Sequence, residues 1–131
     1  MATEKNALVV DDEEVNRRVI GRILTRLGYN VTEAMSGAEA VNLSNEQNFD
    51  LITMDNNMES SNAGIEAIKS IRLNNEEVFI ICVSTVVYNM RKVFHGEPNI
   101  AFLSKPVSSH DIEMILNELS LQELDPLGCA S

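Results

Sequence analysis

Ala7-Leu8-Val9-Val10-Asp11-Asp12-Glu13-Glu14 is the stretch that decides the fold. Four consecutive apolar residues read as a strand covered on both faces, and the acidic run behind them ends it. From there the apolar positions Val15, Val19, Ile23, Leu24 and Leu27 recur at helical spacing, and Gly28 stands where such a helix would stop. A short buried strand feeding an amphipathic helix is the first half of a parallel crossover, because parallel neighbours need a long connection between them.

The same alternation runs on through the chain. Residues 30–34 alternate weakly, as an edge strand does. Ser36 then stands as an N-cap, with Glu39 at capping-box distance, for a helix through Glu46. Leu51-Ile52-Thr53-Met54 is a third strand ending on Asp55, followed by a polar stretch and a helix with Ile65, Ile68 and Ile71 on one side. Residues 78–83 form the most continuously apolar run. Val87, Met90 and Phe94 mark a shorter fourth helix, and residues 100–103 a fifth strand. After Lys105-Pro106, Ser108 or Ser109 caps a last helix with Ile112, Ile115, Leu116 and Leu119 as its buried stripe. Five strand–helix units in strict alternation predict an α/β fold, a parallel sheet with helices on both faces.

Composition narrows the function. At 131 residues and 44% apolar content the chain has room for one domain, expected over residues 6–121, with a flexible tail over 122–131 and no output domain. Twenty acidic residues against ten basic ones give a net charge of −10, which repels nucleic acid and anionic membranes. No apolar run approaches a membrane span. Cys82 and Cys129 have neither zinc-site nor disulfide spacing, so a reducing compartment is expected: the cytoplasm, with the nucleus as the alternative.

In such a sheet, ligands bind at the carboxyl ends of the strands. Those ends carry Asp11 and Asp12, then Asp55, then Ser84 and Thr85, then Lys105-Pro106. Any one of them read alone is a helix cap or turn former. Together they place three carboxylates, a hydroxyl pair and an ammonium on one rim. Crowded carboxylates repel unless a cation shares them, and hard oxygen ligands on an open rim suit Mg²⁺. Aspartate can attack phosphorus to give an acyl phosphate, so the set reads as metal-assisted phosphoryl transfer onto a carboxylate.

These residues resemble a known family. Leu8-Val9-Val10-Asp11-Asp12-Glu13, Asp50-Leu51-Ile52-Thr53-Met54-Asp55, Val83-Ser84 and Phe102-Leu103-Ser104-Lys105-Pro106, in that order, are similar to the receiver domain of two-component response regulators. The resemblance implies the flavodoxin-like receiver fold with strand order 2-1-3-4-5. It implies Asp55 as phosphoacceptor, Asp12 and Asp55 as Mg²⁺ ligands with Asp11 nearby through water, and a third ligand from the Asn57 backbone carbonyl. Ser84 and Lys105 would hold the phosphoryl oxygens, Phe102 would be the switch aromatic, and the bond before Pro106 would be cis. Asn57 also stands where a side chain can orient the water that removes the phosphoryl group.

The donor implied is a histidine-containing phosphotransfer protein or a histidine kinase. Asn16-Arg17-Arg18 and Val83-Ser84-Thr85-Val86 resemble the stand-alone type-C receivers of plants, which would set the chain in a phosphorelay such as cytokinin signalling. The departures cluster in one loop: Glu59 replaces the usual proline, and Asn62-Ala63 replaces an Asp-Gly pair, with Gly64 one residue late. That loop motivates the alternative reading, a pseudo-receiver that scaffolds partners without phosphorylation. An aspartate-dependent phosphatase is disfavoured because Asn57 stands where its second Asp should be.

Overall fold

The computed structural model describes residues 5–124. Strands β1 (Lys5–Val10), β2 (Tyr29–Ala34), β3 (Leu51–Asp55), β4 (Phe79–Ser84) and β5 (Ile100–Ser104) alternate with helices α1 (Glu14–Arg26), α2 (Gly37–Glu46), α3 (Ala63–Asn74), α4 (Tyr88–Val93) and α5 (Ser109–Leu124). The five strands form one parallel sheet in the order β2-β1-β3-β4-β5. This is the expected architecture. The register pairs Val10 with both Ala34 and Met54, Asp55 with Val83, and Ser84 with Ser104. It therefore brings Asp11, Asp55, Ser84 and Lys105 to a common rim.

The side-chain period of two sorts each central strand between two cores. Leu8, Val10, Ile52, Met54, Ile80 and Cys82 join a cluster with Ile65 and Ile68 of α3 and Met90 of α4. Ala7, Val9, Leu51, Ile81 and Val83 join a second cluster with Ile20 and Leu24 of α1 and Ile112 of α5. A continuous apolar run is what a strand covered on both faces requires.

Helix ends follow local chemistry. Gly28, with φ +99°, sits just past α1 in the left-handed region. Ser36 caps α2, its Oγ accepting from the Glu39 N–H at 3.1 Å. Glu39 accepts in return from Met35, one residue before the N-cap. Ser108 caps α5, its Oγ accepting from the Asp111 N–H while Asp111 accepts from the Ser108 N–H.

Two expectations are revised. Val15 and Val19 are 72% and 48% exposed, and the buried face of α1 is instead Arg17, Ile20, Gly21 and Leu24. The helix is rotated away from the valine stripe because Arg17 is buried by its own hydrogen bonds. Helix α5 runs to Leu124, past the boundary expected at Leu121, and residues 125–131, where the rest of the expected tail falls, lie outside the described residues.

Candidate functional site

Asp11 leaves β1 with its N–H donated to the Ala34 carbonyl at 3.1 Å, which holds it at the rim between β1 and β2. Its side chain is buried; Oδ1 accepts from the Glu13 N–H at 2.9 Å, and Oδ2 lies 2.9 Å from Lys105 Nζ. Asp12 beside it is exposed. Asp55 ends β3 and is only 5% exposed, its Oδ1 accepting from the Asn56 N–H at 2.9 Å and lying 3.3 Å from Lys105 Nζ. One oxygen from each of Asp11, Asp12 and Asp55 falls within 4.8 Å of the others.

Crowding shows in the proton affinities. Burial, and then the Asp11 charge, push the Asp55 carboxyl up to about 6, against the opposing pull of Lys105 and the Asn56 N–H. Burial works against the Lys105 charge, but its hydrogen bond to Asp11 and the attraction of both carboxylates raise its pKa above the ordinary lysine value. One ammonium thus bridges the two buried aspartates.

Ser84 is buried at the end of β4, its Oγ accepting from the Val86 N–H at 3.1 Å, and its carbonyl accepts from the Lys105 N–H at 3.0 Å. The Lys105–Pro106 bond is cis, as the resemblance implied. Phe102 packs half-buried against the α3/α4 core, with the Arg91 guanidinium 4.9 Å from its ring centroid. Asn57 is exposed and lines a cleft of about 600 Å³ together with Asp12, Asn16, Asp55, Thr85 and Lys105. A larger concavity of about 940 Å³, ringed by Asn45, Asn48, Asn74 and Asn75, opens among residues at the amino ends of β1 and β4. Asp12 and Asp55 of the acidic cluster line the smaller cleft.

Three supporting residues escaped the sequence reading. Arg17 donates from Nη1 to the Asp11 carbonyl and from Nε to Glu33 Oε1, both at 2.9 Å, tying α1 and β2 to the acidic rim. Asn56 is buried, its Oδ1 accepting from the Ile65 N–H at 3.1 Å and its carbonyl from the Gly64 N–H at 3.0 Å. Glu59, read only as a departure, accepts from the Gly37 and Ala38 N–H groups of α2. Buried polar groups on a rim of this kind need such partners, but the partners are far away in sequence.

Residues 7–117 match the response regulator receiver domain family. The chain belongs to that family. Among curated proteins, this receiver is 35% identical over 116 residues to two-component response regulator 24 of Arabidopsis thaliana, covering 87% of this chain and 83% of that protein. It is 40% identical over 80 residues to chemotaxis protein CheY of Thermotoga maritima, covering 60% and 66% respectively. A match at 40% identity over 74 residues to hybrid signal transduction histidine kinase E of Dictyostelium discoideum covers 56% of the receiver but only 4% of that kinase.

Solved structures agree on the fold. A receiver domain from Methanospirillum hungatei superposes with a TM-score of 0.80 at 25% identity, covering 92% of this chain and 98% of that one. The receiver domain of a sensor histidine kinase from Pseudomonas aeruginosa superposes at 0.76 with 29% identity, covering 88% and 97%. That structure has a magnesium ion coordinated in its active site cleft. The three clustered carboxylates of the present receiver offer the hard oxygen donors such an ion takes. Among the described residues no helix is long and apolar enough to cross a membrane.

Proposed function

We propose that this receiver accepts a phosphoryl group from a phosphohistidine onto Asp55 and serves a phosphorelay as a switch or phosphate acceptor. The observation that carries the reading is the contact of one ammonium, Lys105 Nζ, with both Asp11 and Asp55 at the mouth of an acidic cleft. The donor is a histidine-containing phosphotransfer protein or a histidine kinase; neither nucleic acid nor membrane is a direct partner. The setting is cytoplasmic, with the nucleus as the alternative.

Asp55 Oδ forms the new bond to phosphorus as the phosphorus–nitrogen bond of the donor breaks, and the electron pair leaves with the imidazole. The nucleophile must be ionised, and Lys105 favours that form by standing 3.3 Å away. Asp12, Asp55 and the Asn57 carbonyl would hold Mg²⁺, with Asp11 acting through water. That ion would supply positive charge to the phosphoryl oxygens. Lys105 and the Ser84 hydroxyl would take the remaining oxygens, and the Ser84 movement would let Phe102 turn inward. The domain catalyses its own phosphorylation and its loss, and nothing else.

Amide NMR with Mg²⁺ and beryllofluoride tests the switch. Shift changes should begin at Asp55, Ser84 and Lys105 and spread through Phe102 to α4 and β5. Changes confined to the cleft would leave an acceptor without a switch, and no changes at all would favour the scaffold.

A further inference from the structure

We infer that Glu59 is a positioning residue, the strut that holds the loop between β3 and α3 ready for a divalent cation by clamping it to the start of α2. This inference rests on the cation site proposed above.

The loop is anchored at both ends. Asn56 accepts from Gly64 and Ile65, so the loop closes onto the first turn of α3. Inside it, Met58 donates its N–H to the Ser60 carbonyl at 3.1 Å and rests its side chain against the core. Ser60 and Asn62 accept from Ala63 and Glu66 of the adjoining α3, whereas among the described residues the hydrogen bonds that tie residues 57–62 to α2 come from Glu59. Its Oε1 accepts from the Gly37 N–H at 2.9 Å and its Oε2 from the Ala38 N–H at 3.0 Å.

The receiving end is shaped for this contact. A helix begins with four N–H groups that its own ladder leaves unpaired. In α2 the ladder begins with the Ala40 N–H on the Ser36 carbonyl, and ahead of it Ser36 Oγ takes the Glu39 N–H, which leaves Gly37 and Ala38 for Glu59. Gly37 also lets the helix come close. A Cβ there would stand 2.9 Å from the Ala63 carbonyl oxygen and 3.4 Å from Glu59 Oε2. A proline in this position would stiffen the loop through its own φ; the glutamate does so by a bidentate tie to a neighbour. Asn57 precedes it by two residues, so the tie constrains the carbonyl assigned to the cation. Supports of ligands commonly change metal affinity tenfold or more when removed.

The experiment is a Mg²⁺ titration of the whole chain by amide NMR, comparing wild type with Glu59→Ala. Two controls separate positioning from stability and from charge. Ser36→Ala removes a cap from the same helix end without touching the loop, and Glu66→Gln removes one acidic charge from α3. Glu59→Ala should weaken Mg²⁺ about tenfold, while Ser36→Ala lowers thermal stability comparably and leaves the affinity unchanged. Glu66→Gln should stay within twofold of wild type. Equal affinity in wild type and Glu59→Ala would overturn the strut alone, as would a loss reproduced in full by either control. If wild type takes no Mg²⁺, the cation site and the strut fall together.

Discussion

A Cβ placed on Gly64 would stand 2.1 Å from the carbonyl oxygen of Asp55 and 2.7 Å from the Asn56 Cα. The first turn of α3 therefore touches the backbone of the proposed phosphoacceptor, and only a residue without a side chain permits it. Backbone cannot yield as a flexible side chain would. Gly64→Ala should cost about 3 kcal/mol or more of stability, measured by urea unfolding. A loss of less than about 0.5 kcal/mol would mean that the approach is not tight.

The raised Asp55 pKa makes a stability prediction for the cation-free protein. An acid with a folded pKa of about 6 and an ordinary value of 3.8 holds its proton more tightly when folded. Its contribution is thus largest at low pH and declines as pH rises between those two values. Asp55→Asn removes the ionisation, so its advantage over wild type in chelator should grow from near zero at about pH 4 to about 2 kcal/mol near pH 7. Thermal melts across that range check it. A difference that stays flat with pH would show that Asp55 is not under electrostatic strain.

Thr53, in the middle of β3, is 1% exposed, and its hydroxyl has no hydrogen-bond partner among the described residues. It pairs in register with Val9 and Ile81, so an apolar side chain of the same shape suits the place. Thr53→Val should raise stability by about 1 kcal/mol, seen as a higher urea midpoint with unchanged slope. A lower midpoint would reveal a partner for the hydroxyl.

Asn57 lines the cleft beside Asp55 and is exposed. Its amide can orient a water in line with the acyl phosphate, which leucine cannot do. Asn57→Leu should lengthen the phosphorylated lifetime severalfold after the donor is removed, with uptake intact. Equal lifetimes would assign Asn57 no part in hydrolysis beyond its backbone.

Much of this molecule was legible in its sequence, for reasons that can be named. The runs that became β1, β3 and β4 are apolar on both faces because helices cover both sides, and the rim residues follow from where those runs stop. Ser36 was legible because its partner Glu39 lies three residues away. What escaped depends on contacts distant along the chain. The valine stripe of α1 misled because Arg17, an unpromising core residue, is buried by hydrogen bonds to Asp11 and Glu33. Glu59 read as a defect in a loop because its partners, Gly37 and Ala38, are more than twenty positions earlier. The late Gly64 was visible as a departure, whereas its contact with Asp55 was not.

The most direct test of the central claim is intact-mass measurement after incubation with a phosphorylated histidine-containing phosphotransfer protein and Mg²⁺. Wild type should gain the mass of one phosphoryl group, and Asp55→Asn, Asp12→Ala and wild type in chelator should gain none. Uptake that persists in Asp55→Asn, or none in wild type beside a receiver known to accept from the same donor, would contradict it.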